Sequence, residues 1–408
     1  MLRTGAMLSM LGFVACMSRW LAPDDFGVLA LLVSLVTLAA GLGSFGQSEM
    51  AIRTLAASRQ RGEEAAAERV TSEVAGLVVP VSGAVGGCLA SWLAWSGQPP
   101  GVWIAALVLT VSLSLMAALA GPARMAGRYV LALAPKDIAW RLLAIAVVGG
   151  LVVTGLRPAL ATVAMVTALA AMLSAAWQAR RLGVAAMSMV RPDVRVLEKP
   201  YLRASGMLAV STLAIVAMST VDVIAVGSLV SPAAAATYFP ANRLAFLAAF
   251  AVLPIQLVIE QRFAAELVAG DTAALQRTAN VATALLFPVS LVLATMVLAG
   301  FPFYRVLFPT AGELTWQLLA ILVGGIVLGS LLSVSEPLMI QSGHQDRYAR
   351  TNIVVAGGAI PLTGLAAASG NLLAVAGVIA GCEVLRKALI AHAAWRLTGI
   401  APLARMRL

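Results

Sequence analysis

Two oppositely charged residues stand inside long apolar segments, one on each side of a predicted turn. Asp222 lies ten residues before Pro232, and Arg243 lies eleven residues after it. If both segments are helical, a rise of about 1.5 Å per residue puts both charges roughly 12–15 Å below the turn, at one depth. Because a charge near the centre of a bilayer costs about 2.5–3.5 kcal/mol, two opposite charges at one depth are expected to pair. The two residues either form a structural ion pair that neutralises both charges between two helices, or they form a polar element of a transport cavity.

The composition is that of a protein with many membrane spans. Of the 408 residues, 61% are hydrophobic and 11% are charged, and the mean hydropathy is +0.94. Soluble domains carry roughly 25% charged residues. The net charge of +10 is explained by Lys and Arg in cytoplasmic loops, so it does not indicate a nucleic-acid partner. The cysteines stand in apolar segments at unrelated spacings, which predicts neither disulfides nor a metal site. They are Cys16, Cys88 and Cys382.

Twelve apolar segments are long enough to span a bilayer, which takes about 17–25 residues. They predict an all-α polytopic membrane protein with about twelve transmembrane helices in two six-helix bundles. The first bundle takes residues 1–177, a basic cytoplasmic linker takes 178–206, and the second bundle takes 207–408. The predicted spans are 5–21, 26–46, 74–95, 102–120, 138–155, 159–177, two within 207–260, 281–299, 318–337, 352–369 and 372–395.

Basic residues are distributed unevenly between the predicted loops. Of the 28 Lys and Arg residues, 24 fall on one side, including Arg386 and Lys387, which are counted with the C-terminal tail. This asymmetry predicts that both termini are cytoplasmic. The loops on the other side are all short, the longest covering about 300–316. They leave no room for a domain that would hold an outward-facing active site, which disfavours an enzyme. The four remaining basic residues are Arg19, Arg157, Arg243 and Arg305.

A repeat with few matching residues relates the two predicted bundles. Because each bundle holds an even number of spans, the two would have the same orientation in the membrane. That arrangement predicts a pseudo-two-fold axis along the membrane normal, with a cavity between the halves. The matches have offsets of 208 to 211 residues and pair Pro80-Val81-Ser82 with Pro288-Val289-Ser290, Pro23 with Pro232, and Glu49 with Glu260.

The sequence shows no catalytic motif that we would defend. The glycines within residues 41–46 match a dinucleotide-binding pattern, but they end an apolar span instead of following a strand. No Walker pattern and no Ser-His-Asp arrangement is present, and we predict no cofactor and no metal. Arg19 and Arg53 stand near span ends, where an interfacial anchor is the simplest interpretation. Taken together, helix-borne arginines around a gap between the halves would suit an anionic ligand such as a pyrophosphate.

Two stretches resemble bacterial polysaccharide flippases. Residues 19–27, Arg-Trp-Leu-Ala-Pro-Asp-Asp-Phe-Gly, are similar to the end of the first helix in that family. Residues 222–227, followed by Tyr238 and by Ala-Asn-Arg-Leu at 241–244, are similar to its seventh and eighth helices. The resemblance implies the multidrug/oligosaccharidyl-lipid/polysaccharide (MOP) exporter superfamily, with two six-helix bundles in a V shape. It also implies alternating access for an oligosaccharide on undecaprenyl pyrophosphate, with basic cavity residues holding the pyrophosphate.

The resemblance implies roles for four residues that lie in the matching segments. Arg19, Arg53 and Arg243 are implied to bind the substrate. Asp222 is implied either to bind a coupling proton or cation, or to balance Arg243. The leading expectation is a lipid-linked oligosaccharide flippase of the bacterial inner membrane, with membrane lipids, a polysaccharide polymerase and assembly proteins as candidate partners. The alternatives are a cation-coupled multidrug exporter of the same superfamily and, less favoured, a membrane polysaccharide polymerase or ligase.

Overall fold

Long helices joined by short turns make up the computed structural model, which describes residues 2–60, 64–184, 199–249 and 252–401. Within these four ranges there is no strand, and eight helices are long and apolar enough to cross a membrane. The predicted fold class, an all-α polytopic membrane protein with about twelve spans, is confirmed.

The helices are, in chain order, α1 Leu2–Trp20, α2 Pro23–Gly43, α3 Gln47–Gln60, α4 Glu64–Trp95, α5 Pro100–Met125, α6 Tyr129–Ala134, α7 Trp140–Val153, α8 Leu160–Arg181, α9 Lys199–Met218, α10 Val221–Ala225, α11 Pro232–Ala248, α12 Val252–Ala269, α13 Thr272–Ala299, α14 Phe301–Leu307, α15 Glu313–Ser330, α16 Ser335–Gln341, α17 Gln345–Ala368 and α18 Leu372–Thr398. Two π-helical turns, Pro135–Ala139 and Val226–Val230, precede α7 and follow α10.

The chain divides into two compact units, Met1–Val216 and Ala217–Leu408. The boundary falls near the end of α9, inside the predicted seventh span, so nearly all of α9 belongs to the first unit. The predicted linker 178–206 begins within α8 and ends within α9. Its residues 185–198 lie outside the described ranges, and the predicted bundle boundaries remain predictions.

Helix α5 is the centre of the first unit. It packs against α2, α3, α4 and α8, and most of its last three turns is buried. Small residues let the neighbouring backbones approach. A Cβ on Gly121 would collide with the carbonyl oxygen of Ser48, and one on Gly43 would lie 2.6 Å from Ser114 Oγ. Small residues therefore allow α5 to pack closely against the segment that joins α2 and α3, as is common between membrane helices.

A tight turn between α2 and α3 explains the glycine-rich stretch at residues 41–46. Phe45 and Gly46 both have positive φ, 49° and 65°. A Cβ on Gly46 would lie 2.7 Å from Leu208 Cβ and 2.8 Å from the carbonyl oxygen of Ser205 on α9. Glycine meets both demands, since it has no Cβ and adopts positive φ at little cost. The stretch is a turn against which α9 packs. It is not a dinucleotide-binding loop, as expected for a glycine pattern that follows no strand.

Hydrogen bonds fix α9 to this turn. Gln47 is fully buried, and its Nε2 donates to Ser205 Oγ at 2.6 Å. The Tyr201 hydroxyl donates to Gln47 Oε1 at 2.7 Å, and the Ser205 hydroxyl donates to the Phe45 carbonyl. The side chains of α9 therefore satisfy the polar groups that the turn leaves between α2 and α3.

Substitution of Gly46 by Ala should destabilise the protein. An Ala side chain would be strained at this φ and would also collide with α9, at a combined cost of about 2 kcal/mol or more. We expect a clear drop in the thermal unfolding midpoint of the detergent-purified protein. The matched control is Gly87→Ala in α4, where a Cβ would meet nothing within 4 Å, and it should not lower the midpoint, since Ala is favoured over Gly inside a helix. Equal midpoints for the two variants would contradict this account of the turn.

The second unit is built on α15, α17 and α18, with α11 packed against α15. A Cβ on Gly325 would lie 2.7 Å from Ala380 Cβ, so α15 and α18 are in close contact. A separate apolar cluster joins α12, α13, α16 and α18, and its residues include Phe263, Leu286, Leu338, Met339 and Ile390.

The predicted tenth span, 318–337, is interrupted. Helix α15 ends at Ser330 and α16 begins at Ser335. The Ser333 hydroxyl donates to the Gly329 carbonyl at 3.0 Å, and the Ser333 carbonyl accepts from Gln256 Nε2 at 3.0 Å. A broken helix at membrane depth needs such partners, because its freed backbone groups have no water to bond. The interruption marks a polar region inside the second unit.

Candidate functional site

Asp222 is fully buried in the first turn of α10. The Val223 N–H donates to its Oδ1 at 2.8 Å. The Tyr238 hydroxyl and the Asn242 amide donate to its Oδ2 at 3.0 and 2.7 Å. Tyr238 and Asn242 are four residues apart on α11, so they lie on one face of that helix. Three donors thus satisfy a carboxylate that would otherwise be costly to bury.

Arg243 is half-buried beside this carboxylate. Its guanidinium carbon lies 4.8 Å from the centre of the Phe239 ring and 5.9 Å from that of Phe246. It also interacts electrostatically with Asp222. The structure therefore places Arg243 within electrostatic range of Asp222, while the predicted pairing of the two charges remains a prediction. Tyr238 and Asn242 donate to the Asp222 carboxylate. Sequence reasoning did not assign this role to either residue.

Arg19 and Arg53 both belong to the first unit and both are exposed. Arg19 is in the last turn of α1, next to the start of α2, whereas Arg53 is in α3, beyond the far end of α2. The 21 residues of α2 span about 30 Å. One phosphate group therefore cannot contact both arginines at the same time. Their predicted roles in substrate binding remain predictions.

Sequence reasoning missed a second charged cluster, centred on Arg386 in α18. Arg386 donates to both carboxylate oxygens of Glu383, at 2.8 Å each. Its Nη1 donates to Asn352 Oδ1 on α17 at 2.9 Å. Its Nη2 lies 2.7 Å from Glu336 Oε1 on α16. The Glu336 contact is an ion pair without hydrogen-bond geometry, since that oxygen has no hydrogen-bond partner. Arg386 joins three helices.

Lys387 extends the cluster to the interruption between α15 and α16. Its Nζ donates to Ser333 Oγ at 3.1 Å and lies 3.6 Å from Glu383 Oε1. The stem of Lys387 passes over Gly329, where a Cβ would lie 3.0 Å from Lys387 Cδ. A cation at the C-terminal end of α15 is also favoured by the helix dipole. We refer to Glu336, Glu383, Arg386 and Lys387 as the α18 charge cluster.

The α18 charge cluster has two acids and two bases, so it is neutral as a whole. The assignment of Arg386 and Lys387 to the tail was wrong, since both lie in the middle of α18. The spacing of Glu383, Arg386 and Lys387, three and four residues apart, was the signal that could have placed them on one helix. Among the described residues no three His, Cys, Asp or Glu side chains are grouped closely enough to hold a metal ion.

Solved structures match this fold over almost its whole length. An inward-facing multidrug resistance MATE family transporter of the MOP superfamily is 17% identical, with a TM-score of 0.71, and the match covers 99% of this chain and 96% of that chain. The chain has the fold of the MATE transporters. No model of a protein family and no curated protein matches the sequence.

Two further solved structures of transporters match over almost the whole chain. A variant of the Vibrio cholerae MATE transporter VcmN is 14% identical with a TM-score of 0.59, and the match covers 97% of this chain and 93% of that one. A MOP superfamily transporter from Pyrococcus furiosus is 15% identical with a TM-score of 0.58, covering 98% and 96%. At such identities the likeness establishes the MATE fold, and the substrate has to be argued from the sites.

Removal of Arg386 should destabilise the second unit. The Arg386→Gln variant leaves Glu336 and Glu383 close together without their shared cation, a loss of about 3 kcal/mol or more for a buried pair. We expect a lower thermal unfolding midpoint in detergent, and partial recovery when Glu383→Gln is added. The control is Arg350→Gln, an exposed position on α17. Equal midpoints for Arg386→Gln and Arg350→Gln would show that the cluster does not stabilise the unit.

Proposed function

We propose that this protein moves an undecaprenyl-pyrophosphate-linked oligosaccharide across the bacterial inner membrane by alternating access. The MATE fold supports a multi-pass membrane transporter, and the flippase-like segments around Arg19, Asp222 and Arg243 support the substrate class. Both termini would be cytoplasmic. Membrane lipids, a polysaccharide polymerase and assembly proteins would be the partners.

The observation that carries the proposal is the placement of Arg243. The Arg243 guanidinium carbon lies over the Phe239 ring, a contact that uses the charge of the guanidinium, whereas a phosphate group is bound through its N–H groups. The two contacts are therefore compatible, and the ring would help to hold the side chain in one orientation. Asp222 fixes the same hairpin from inside through Tyr238 and Asn242. A half-buried arginine on a rigid hairpin is suited to an anionic head group.

Asp222 has two possible roles within the proposal. As a counter-charge it would only offset the cost of holding Arg243 at membrane depth. As a coupling site it would bind a proton or a cation during the transport cycle. The Asn242 Oδ1 atom next to it is buried and has no hydrogen-bond partner, so a second oxygen is present for a cation. The two roles differ in what a charge swap does.

The second candidate function is multidrug export. It is favoured by the multidrug resistance MATE family transporter that shares the fold. A cationic drug needs carboxylates in the cavity, and two carboxylates of the second unit, Glu336 and Glu383, already contact Arg386. The Pyrococcus furiosus transporter has a binding pocket of reversed polarity, which suggests a different function for that protein. The charge of the site therefore decides between these candidates better than the fold does.

A polymerase or ligase is the least favoured candidate. Residues 300–316, the longest predicted outward loop, consist of the short helix α14, a turn and the first four residues of α15. A segment of this size does not hold an independent active site.

The Arg243→Gln variant should lose transport of the lipid-linked oligosaccharide. We expect the rate of flipping in proteoliposomes to fall by about tenfold or more, since a charge-assisted contact to phosphate is removed. Arg243→Lys should give an intermediate rate, because it keeps the charge but loses the planar geometry. Arg350→Gln is the control, and the unfolding midpoint of each variant checks folding. Unchanged flipping in Arg243→Gln would exclude Arg243 from substrate binding.

Exchange of the two charges tests whether the pair has only a structural role. Recovery of transport in Asp222→Arg combined with Arg243→Asp, relative to Asp222→Asn, would show that the two charges only neutralise each other, and it would exclude Arg243 from substrate binding. If Arg243 binds the substrate or Asp222 is the coupling site, the exchanged protein folds but stays inactive. Drug sensitivity of a deletion strain that keeps normal surface polysaccharide would instead favour multidrug export.

A further inference from the structure

Three helix ends of the first unit form a rigid corner. The end of α5, the start of α6 and the end of α8 meet there. Arg128 Nη1, just before α6, donates to the carbonyl oxygen of Arg181 at 2.7 Å. Gln178 Nε2 on α8 is fully buried and donates to the carbonyl oxygen of Leu131 at 3.0 Å. Two hydrogen bonds between segments about fifty residues apart therefore fix the positions of the arginines around them.

This corner exposes four arginines from two separate stretches of the sequence. We refer to Arg124, Arg128, Arg180 and Arg181 as the arginine corner, and all four are exposed. Arg124 also donates to Ser48 Oγ at 2.8 Å, so the exposed Glu49, which follows Ser48, is the nearest acid on α3. The corner thus has an excess of positive charge, which attracts phosphate groups.

One exposed face of α8 carries apolar residues that end at the arginine corner. Leu169, Leu173 and Trp177 follow one another at four-residue spacing, and all three are exposed. Arg181 is the next residue in this series, with Arg180 beside it. Tyr129, which follows Arg128, is 60% exposed. The order of aliphatic, aromatic and basic side chains matches the order of acyl chain, interface and head group in a bilayer leaflet.

We propose that the arginine corner binds the head group of an anionic phospholipid. The phosphate would contact Arg128, Arg180 and Arg181, and an acyl chain would lie along the Leu169–Leu173–Trp177 face. The continuous apolar face favours a lipid over a soluble anion, because a free phosphate would gain nothing from Leu169 and Leu173. This lipid site is independent of the transported substrate, so it holds whether or not the proposed flippase function does.

The test is lipid-dependent stabilisation of the purified full-length protein. Cardiolipin or phosphatidylglycerol in mixed micelles should raise the thermal unfolding midpoint, whereas phosphatidylcholine should not, and the rise should shrink at high salt. In the Arg180→Gln/Arg181→Gln variant the apparent affinity for cardiolipin should fall by about tenfold or more, as two contacts with an anionic head group are lost. Native mass spectrometry should show fewer retained anionic lipids.

The matched control removes the same charge from the second unit. Arg347→Gln/Arg350→Gln changes two exposed arginines at the start of α17 and should keep the affinity for cardiolipin. An equal loss of cardiolipin affinity in both double variants would overturn the proposal, because the affinity would then depend only on the net charge of the protein. Equal stabilisation by inorganic pyrophosphate would also overturn it, since the ligand would be a soluble anion. Leu173→Ala should weaken binding of the lipid without changing any effect of pyrophosphate.

Discussion

The cost of a charge in a medium without water is the constraint on which this structure depends. Asp222 is buried with three hydrogen-bond donors, and Arg386 is nearly buried with two carboxylates and an amide oxygen. The two buried charges are stabilised in different ways. The Asp222 carboxylate is held by neutral donors with a cation nearby, whereas the α18 charge cluster neutralises itself.

Both polar networks depend on local departures from a regular helix. The interruption between α15 and α16 places the buried Ser333 hydroxyl within hydrogen-bond distance of Lys387 Nζ, and the missing side chain at Gly329 leaves the space that Lys387 occupies. The π-helical turn Val226–Val230 follows the short helix that carries Asp222. The turn at Phe45 and Gly46 similarly leaves backbone groups that Gln47 and Ser205 satisfy. Glycines and helix breaks make room for polar contacts that a continuous apolar helix would exclude.

Hydropathy predicted the helical fold, because a bilayer restricts the chain to helices of a minimum length. The nearness of Asp222 and Arg243 was predictable for the same reason, since a turn and a fixed rise determine depth. The α18 charge cluster was missed because basic residues near a chain end were counted as cytoplasmic. The partners Glu336 and Asn352 come from other helices, and no spacing rule relates them to Arg386. The interruption at residues 331–334 had a local signal that was not used, since Pro337 has no N–H to donate to the Ser333 carbonyl, and Ser330, Ser333 and Ser335 stand among the apolar residues.

The separation of Arg19 and Arg53 bears on how an anionic head group would be moved. Helix α2 alone, at about 30 Å, is as long as the hydrocarbon core is thick. Arg19 therefore lies toward one face of the membrane and Arg53 toward the other. Arg19 and Arg53 are too far apart to form one high-affinity site. A single site that held both arginines against one phosphate would also release its ligand slowly. Charges near opposite ends of a path would instead meet the head group in succession, before and after a central site that alternating access exposes to each side in turn.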